Sequence, residues 1–318
     1  MAQQTRIEAM LDHYSAFMKQ FPDIETLAHA DEDALMKAWQ GLGYYSRARS
    51  LRKAAQVCVD QYESKLPGTR DELLKLPGIG PYTAGAIASI AYNERVAAVD
   101  GNVIRVYARF YDLHDDFFDL KNRKKLEKMV EDDLPGTDDI SDWNQALMEL
   151  GARICTPKIA RCEDCPLASF CASSTKAHPE ELPIKRKKAE RRKEEKHVYV
   201  WYAISENHEI LLHIRQRPKN GLLAGLYEFD DALPEKVYET QNLGEHHHVF
   251  SHVEWMMEGT LVHTEAGKGF VPVSRIDQAH SIPSAFMPFY QRAIAQIVPL
   301  EHENCGESLF RMDTAQDD

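Results

Sequence analysis

Leu76-Pro77-Gly78-Ile79-Gly80-Pro81-Tyr82-Thr83-Ala84-Gly85 reads as the turn between two helices. A short helix over about 70–75 ends at Pro77, and two glycines then make a tight hairpin. A new helix opens near Pro81, where proline gives up an N–H that has no partner in the first turn anyway. Glycines at 78 and 80 let bare backbone N–H groups approach a ligand beside the positive end of a helix dipole. That is an anion site, and its natural anion is a phosphate. The same glycines also suit a plain helix–helix turn.

Outward from the hairpin, residues 4 to 170 repeat with helical period. Ile7, Met10, Leu11, Tyr14 and Met18 form one apolar stripe, as do Ala84, Ile87, Ala88 and Ala91, and again Val103, Val106, Tyr107 and Phe110. Phe21-Pro22, Leu66-Pro67-Gly68 and Leu134-Pro135-Gly136 cut the region into short helices. An all-α domain over 1–175 is expected. Residues 176–196 change character: from Lys185 to Lys196 there are eight basic and three acidic side chains and no apolar stripe. This predicts a solvated linker, with a phosphate-touching linker as the sharper alternative. Beyond it the period falls to two. Val198, Val200 and Tyr202 alternate, and Glu209–Arg215 and His247–Trp255 read as further strands. A last helical stripe runs through Phe286, Tyr290, Ala293 and Ile297, so an α+β domain over 197–298 follows, with a disordered tail over 299–318.

A length of 318 residues with 43% apolar side chains is enough for two cores, which excludes a mostly disordered or fibrous chain. No apolar run reaches membrane-spanning length, so no membrane partner is expected. Met1-Ala2-Gln3-Gln4-Thr5 lacks a secretory layout, and a cytoplasmic protein is expected. The net charge of −12 argues mildly against nucleic acid, but a binding face needs only local basic density. Arg47, Arg49, Arg52 and Lys53 supply such a patch, which would bind in a salt-sensitive way.

Two further motifs carry chemistry. In Val99-Asp100-Gly101-Asn102-Val103, the aspartate stands just before a helix, where a capping carboxylate is commonplace. Four of the six cysteines lie close together as Cys155-x6-Cys162-x2-Cys165-x5-Cys171. That density is unlike a disulfide framework, and four thiolates so placed suit either zinc or an iron–sulfur cluster.

Taken in order, the hairpin, the glycine-flanked aspartate and the cysteine loop resemble the endonuclease III superfamily of DNA repair glycosylases. Within it the chain is similar to the MutY-type adenine DNA glycosylases. Gln3-Gln4-Thr5, Gly41-Leu42-Gly43-Tyr44-Tyr45-Ser46-Arg47-Ala48-Arg49 and His248-Val249-Phe250-Ser251-His252 match that pattern, and the resemblance covers about residues 1–298. It implies a helix-hairpin-helix glycosylase domain and a MutT-like, Nudix-fold domain. It implies a [4Fe–4S] cluster on Cys155, Cys162, Cys165 and Cys171, in a loop whose Lys158 and Arg161 face DNA.

By the same resemblance Gly78 and Gly80 hold a phosphate, Asp100 is the catalytic carboxylate, and Gln4 and Tyr44 wedge into the stack where a base is flipped out. Arg47 and Arg49 join the DNA-binding set. Asn102 ties the hairpin to the catalytic loop by hydrogen bonding. Tyr82 occupies the place where bifunctional relatives carry a Schiff-base lysine, so a monofunctional enzyme is implied, with Tyr82 orienting or polarising the sugar site. Phe250, Ser251 and His252 would read 8-oxoguanine through its oxidised Hoogsteen edge. Unaided, those three residues read as cross-strand packing, and His246 and His247 as a solvated histidine run. Gly221–Phe229 reads as core. No Nudix catalytic box occurs in 197–298, so pyrophosphatase chemistry is not expected.

The implied reaction is hydrolysis of the N-glycosidic bond of adenine opposite 8-oxoguanine or guanine in double-stranded DNA, by a monomer working on nucleoid DNA. Adenine leaves only once a ring nitrogen is protonated, and the developing oxocarbenium ion needs a negative charge beside it. Asp100 suits the second role. The family's proton-donating glutamate would fall two residues before Met1, and Glu8 matches a non-catalytic position. Two expectations follow: an N-terminally shortened form of a true glycosylase, or a non-catalytic lesion-binding protein on the same scaffold. A zinc-stabilised transcriptional regulator is a third reading, and it predicts a colourless protein.

Overall fold

The computed structural model describes residue 1 and residues 7–136, 139–184 and 190–307. Gln4 lies outside the described residues, as does the segment 185–189 of the expected linker. Helices fill the first half: α1 (Ile7–Gln20), α2 (Ile24–Ala28), α3 (Glu32–Ala38), α4 (Ser46–Gln61) and α5 (Arg70–Leu73), then α6 (Pro81–Tyr92), α7 (Gly101–Phe110), α8 (Leu120–Asp132) and α9 (Ile140–Arg153). Side-chain caps fix many of their starts. Asp23 accepts from Thr26 N at 2.7 Å, Asp31 from Ala34 N at 3.1 Å, and Asp119 from Lys121 N at 2.9 Å.

The second half holds β1 (Arg192–Ile204), β2 (Ile210–His213), β3 (Arg215–Gln216), β4 (Tyr227–Glu228), β5 (Glu239–Val249), β6 (Val253–His263) and β7 (Phe270–Pro272), then α10 (Val273–Ala279) and α11 (Met287–Glu307). Five strands form a mixed sheet in the order β5-β6-β1-β2-β7, with β1 parallel to β6 and the other pairs antiparallel. The expected α+β character holds.

The chain divides into two compact units, and the division does not follow the sequence halves. One is Asp23–His29 with Ser50–Lys188; the other is Met1–Pro22, Ala30–Arg49 and Ala189–Asp318. In the helical unit, Val99, Val103, Val106, Tyr107, Leu126, Val130 and Ile140 form one core. A second, from Ala54, Cys58, Leu73, Leu76, Ala84 and Ala88, lies under the hairpin. The α6 and α7 stripes therefore pack largely as their periodicity predicts, with Ala91 left exposed.

The discontinuous unit buries Val198, Val200, Tyr202, Trp255, Met257 and Leu261 of the sheet against Phe286 and, from α11, Phe289, Tyr290, Ala293 and Ile297. Leu226 and Phe229 join the interior, as expected for the 221–229 segment. Helix α3 and the residues just after it join this unit through polar contacts that hydropathy cannot show. Tyr227 OH donates to Asp33 Oδ2 at 3.0 Å, Lys37 Nζ to His280 O at 3.2 Å, and Gln40 Nε2 to Ile282 O at 3.2 Å.

Four expectations are corrected. The α1 stripe is not core: Leu11, Tyr14 and Met18 are exposed, and α1 buries Phe17 instead, 4.9 Å from Phe21 and 5.9 Å from Trp39. The basic stretch is not all linker, since β1 begins at Arg192, paired with Val253. Its charges hid the strand because they neutralise one another on the surface, Glu194 meeting Arg192 at 2.6 Å and Lys196 at 3.4 Å. The strand over His247–Trp255 is a hairpin: β5 ends at Val249, Phe250–His252 make the tip, and β6 begins at Val253. Alternation passes through a tight turn without changing period, so sequence alone does not mark it. Lastly, α11 runs past Pro299 to Glu307, because one proline forfeits a single ladder bond and the buried turns before it anchor the helix.

Candidate active site and cysteine loop

The hairpin joins α5 to α6 within the helical unit. Gly78 has φ +80°, and a Cβ there would lie 2.4 Å from Ser50 Cβ, so glycine is required for conformation and for packing on α4. Gly80 differs. It caps α6 with ordinary φ, offers no side-chain cap, and has nothing within 4 Å of a Cβ position. The open approach to bare backbone thus lies at Gly80, and Gly78 shapes the turn from behind.

Asp100 caps α7. Its Oδ1 accepts from the backbone N–H of Asn102 and of Val103, each at 2.8 Å, and its Oδ2 from Asn102 Nδ2 at 2.8 Å. The capping role and a catalytic role are therefore compatible: three donors fix the carboxylate's orientation. Among the described residues Asn102 makes no hydrogen bond to the hairpin. It spans Asp100 and Arg105, its Oδ1 accepting from Arg105 Nη2 at 2.7 Å. Tyr82, on the first turn of α6, points its hydroxyl at Met148 Sδ at 3.7 Å. Burial, and secondarily the charge of Asp100, pushes its phenol above the usual range, so it stays a neutral donor near the carboxylate.

Arg105 was not singled out from sequence. It is buried and donates to Cys155 O at 2.7 Å, Gly151 O at 2.6 Å and Gly101 O at 3.3 Å besides Asn102. Gly151 lets α9 come this close, since a Cβ there would lie 2.6 Å from Asn102 Cβ. One turn on, Arg109 is also buried and donates to Leu182 O at 2.9 Å, Thr156 O at 2.9 Å and Cys155 Sγ at 3.2 Å. Two arginines four apart, interleaved with the apolar α7 stripe, were the available signal: a cation placed beside a core stripe needs buried acceptors.

Cys155, Cys162, Cys165 and Cys171 are all free thiols lining one small pocket with Arg109. Burial and the neighbouring cysteines push the Cys162 thiol up, and burial pushes up that of Cys171. Among the described residues no group of three or more His, Cys, Asp or Glu side chains closes to metal-binding geometry. The donor set still fits an iron–sulfur cluster: four sulfurs surround one space, and Arg109 Nη2 is buried there without a partner, a cation ready for an anionic cluster.

The remaining expected residues lie in the discontinuous unit. Tyr44 is 53% exposed at φ +46°, the tip of the turn before α4. Arg47 and Arg49 do not display their guanidinium groups as expected of phosphate contacts. Arg47 donates to Met1 O at 2.9 Å, Leu42 O at 3.0 Å and Gly43 O at 3.2 Å, and packs over the Trp39 and Tyr44 rings. Arg49 bonds Glu32 at 3.0 Å and the Ala224 carbonyl.

At the β5–β6 tip, Ser251 and His252 are exposed, and the Phe250 ring rests on Trp255 at 4.8 Å. Phe250 N donates to Val253 O at 2.8 Å, which closes the turn. His246 is not part of a solvated run: it is half-buried, its ring 6.2 Å from Phe289, while His247 is exposed.

Residues 1–133 match the family described as HhH-GPD superfamily base excision DNA repair protein. An adenine DNA glycosylase of Schizosaccharomyces pombe is 34% identical over 270 residues, covering 72% of this chain and 58% of that protein. One of Rattus norvegicus is 31% identical over 338 residues, covering 86% of this chain and 64% of that protein. A solved thermostable thymine-DNA glycosylase aligns with 54% of this chain and 79% of its own at 28% identity and a TM-score of 0.49. The chain thus spans 58% and 64% of the length of these two relatives.

Proposed function

The chain belongs to the HhH-GPD superfamily of base excision DNA repair proteins, in its MutY-type branch, and we propose that it is a monofunctional adenine DNA glycosylase. Its substrate is double-stranded DNA in which adenine faces 8-oxoguanine or guanine, met by a monomer on nucleoid DNA in the cytoplasm. The observation that carries this reading is the Asp100 carboxylate, held by three N–H donors beside the hairpin and the Tyr82 phenol.

In this mechanism the duplex is gripped at a phosphate by the bare backbone at Gly80, which the turn at Gly78 presents. Tyr44 enters the stack and the adenine nucleotide swings out. The glycosidic bond breaks as a ring nitrogen of adenine takes a proton from water and the hydroxyl of that water adds to the sugar carbon; the positive charge that develops on the sugar in between is answered by Asp100 at fixed orientation, with no reorganisation needed at the moment of reaction. Asn102 prevents rotation of the carboxylate by holding Oδ2. Tyr82 donates from its neutral hydroxyl to an oxygen of the sugar site; a phenol forms no Schiff base, so the strand is left intact.

Cys155, Cys162, Cys165 and Cys171 would hold a [4Fe–4S] cluster, which when bound shapes the loop bearing Lys158 and Arg161 for DNA. The C-terminal α+β body is a MutT-like, Nudix-fold lesion reader. There Ser251 offers its hydroxyl to the oxidised edge of the base opposite adenine.

The test is single-turnover adenine release from a duplex with adenine opposite 8-oxoguanine, with binding measured alongside. Release by this chain that Asp100→Asn abolishes supports the assignment. Tight lesion binding without release by either protein points to a non-catalytic lesion-binding protein. Neither binding nor release overturns lesion recognition altogether.

A further inference from the structure

Arg49 was expected to touch DNA, yet its guanidinium is engaged within the chain. Nε meets Glu32 Oε1 at 3.0 Å, and Nη2 donates to the Ala224 carbonyl. The next residue, Gly225, has φ +65°, and a Cβ there would lie 2.8 Å from Arg49 Nη2. The missing side chain is the space the guanidinium occupies. Arg49 N also donates to Tyr45 O at 3.3 Å, and Arg47 N to Tyr44 O at 2.9 Å, so the first turn of α4 is continuous with the Tyr44 tip.

The same N-terminal stretch is held elsewhere on the sheet body. Gln40 donates to Ile282 O, four residues before Tyr44. The segment after Ile282 returns at once to the hairpin tip, since Phe286 N donates to Pro283 O at 2.9 Å and the Phe286 ring lies 6.0 Å from Trp255. Trp255 in turn carries Phe250. Tyr44 and Phe250–His252 are thus mounted on one compact unit, although some two hundred residues of sequence lie between them.

We propose that Arg49, closed on Ala224 over Gly225, is a positioning residue that seats the Tyr44 turn at a fixed separation from the lesion-reading tip, so that base-stack insertion is set by the C-terminal body. This rests on the glycosylase reading above. A phosphate-binding arginine and a strut arginine make opposite forecasts. Removing a phosphate contact lowers the salt dependence of binding by about one counterion and is indifferent to Gly225. Removing a strut leaves the salt slope alone, and Gly225→Ala reproduces the effect by displacing the guanidinium.

The experiment uses the full chain and a duplex with adenine opposite 8-oxoguanine and 2-aminopurine beside the target adenine. Fluorescence at saturating protein reports unstacking, polarisation reports binding, and Tyr44→Ala sets the zero. Arg49→Met and Gly225→Ala are each expected to shift the inserted equilibrium roughly tenfold towards stacked, the worth of one charge-assisted hydrogen bond, with the salt slope unchanged. Arg49→Lys is expected to recover part of the signal. Should Arg49→Met fail to fold, Gly225→Ala carries the comparison. A parental signal from both variants overturns the strut, as does a lowered salt slope in Arg49→Met with Gly225→Ala silent. A parent chain that binds no lesion duplex overturns the glycosylase reading, and the strut with it. A parent that binds while the variants match it overturns the strut alone.

Discussion

Asn102 donates its side-chain amide to Asp100 Oδ2 at 2.8 Å while its own carbonyl oxygen accepts from Arg105. The carboxylate is therefore braced by a residue that is itself braced. Asn102→Leu removes the donor and leaves Oδ2 free to turn away. Loss of a hydrogen bond to a charged group corresponds to roughly 10- to 100-fold, and single-turnover adenine release is expected to fall by that much with lesion binding kept. Release equal to that of the parent would separate Asn102 from the chemistry.

Arg105 serves four acceptors from one buried guanidinium. Arg105→Met fills the space but leaves those acceptors without a donor. It is expected to destabilise the helical unit by about 3 kcal/mol, read as a lower midpoint in urea unfolding. An unchanged midpoint would mean that water or a rearranged α9 replaces all four bonds.

The two hairpin glycines should separate cleanly. Gly78→Ala meets both a left-handed φ and the Ser50 side chain, so a stability loss of about 1–3 kcal/mol is expected. Gly80→Ala meets neither and should unfold within about 0.5 kcal/mol of the parent, yet bind duplex DNA more weakly because its methyl group stands where the phosphate arrives. Thermal unfolding and DNA binding on the same pair of variants check both halves.

Burial of His246, aided by the nearby Arg292 and His247, lowers its pKa, and burial with His246 and His247 lowers that of His248. Burial lowers His280 as well. A lowered histidine binds fewer protons folded than unfolded, so the unfolded chain gains protons first as pH falls through the ordinary value of about 6.5. Stability of the discontinuous unit is thus expected to be full above that pH and to drop below it. Urea midpoints between pH 8 and pH 5 test this, and His246→Gln with His248→Gln should flatten the curve.

Iron and acid-labile sulfide, about four of each per chain, and a brown colour are expected of protein purified without oxygen. Cys165→Ser is expected to lose both. A colourless chain holding zinc would favour the regulator reading instead.

The helical first half, the hairpin, the Asp100 cap and the final α11 stripe were legible because each depends on local chemistry: periodicity, breakers and a capping carboxylate. The engagement of Arg105, Arg109 and Arg49 was not, because each has an acceptor that is a backbone carbonyl brought in from a distant position, Cys155, Leu182 and Ala224 in turn. A carbonyl has no sequence signature. The same limit hid the placement of 30–49, whose docking uses Asp33, Lys37 and Gln40, residues that any helix surface carries. The α1 stripe failed for the converse reason: periodicity shows that a face is apolar and does not say that anything covers it.

The discontinuous make-up of the second unit has a consequence for how the chain comes off the ribosome. Residues 50–188, with Asp23–His29, form one unit whose chain is complete once Lys188 is made, so it can close while synthesis continues. Helix α3 and Gln40 after it cannot finish, because Tyr227, His280 and Ile282, which receive them, are made about two hundred residues later. The β1–β6 pairing, joining Arg192 to Val253 and Tyr202 to His263, is late for the same reason. Residues 33–40 are thus made early and seated late, and a nascent chain halted near Lys188 would present α3 to chaperones and proteases with the helical unit already closed.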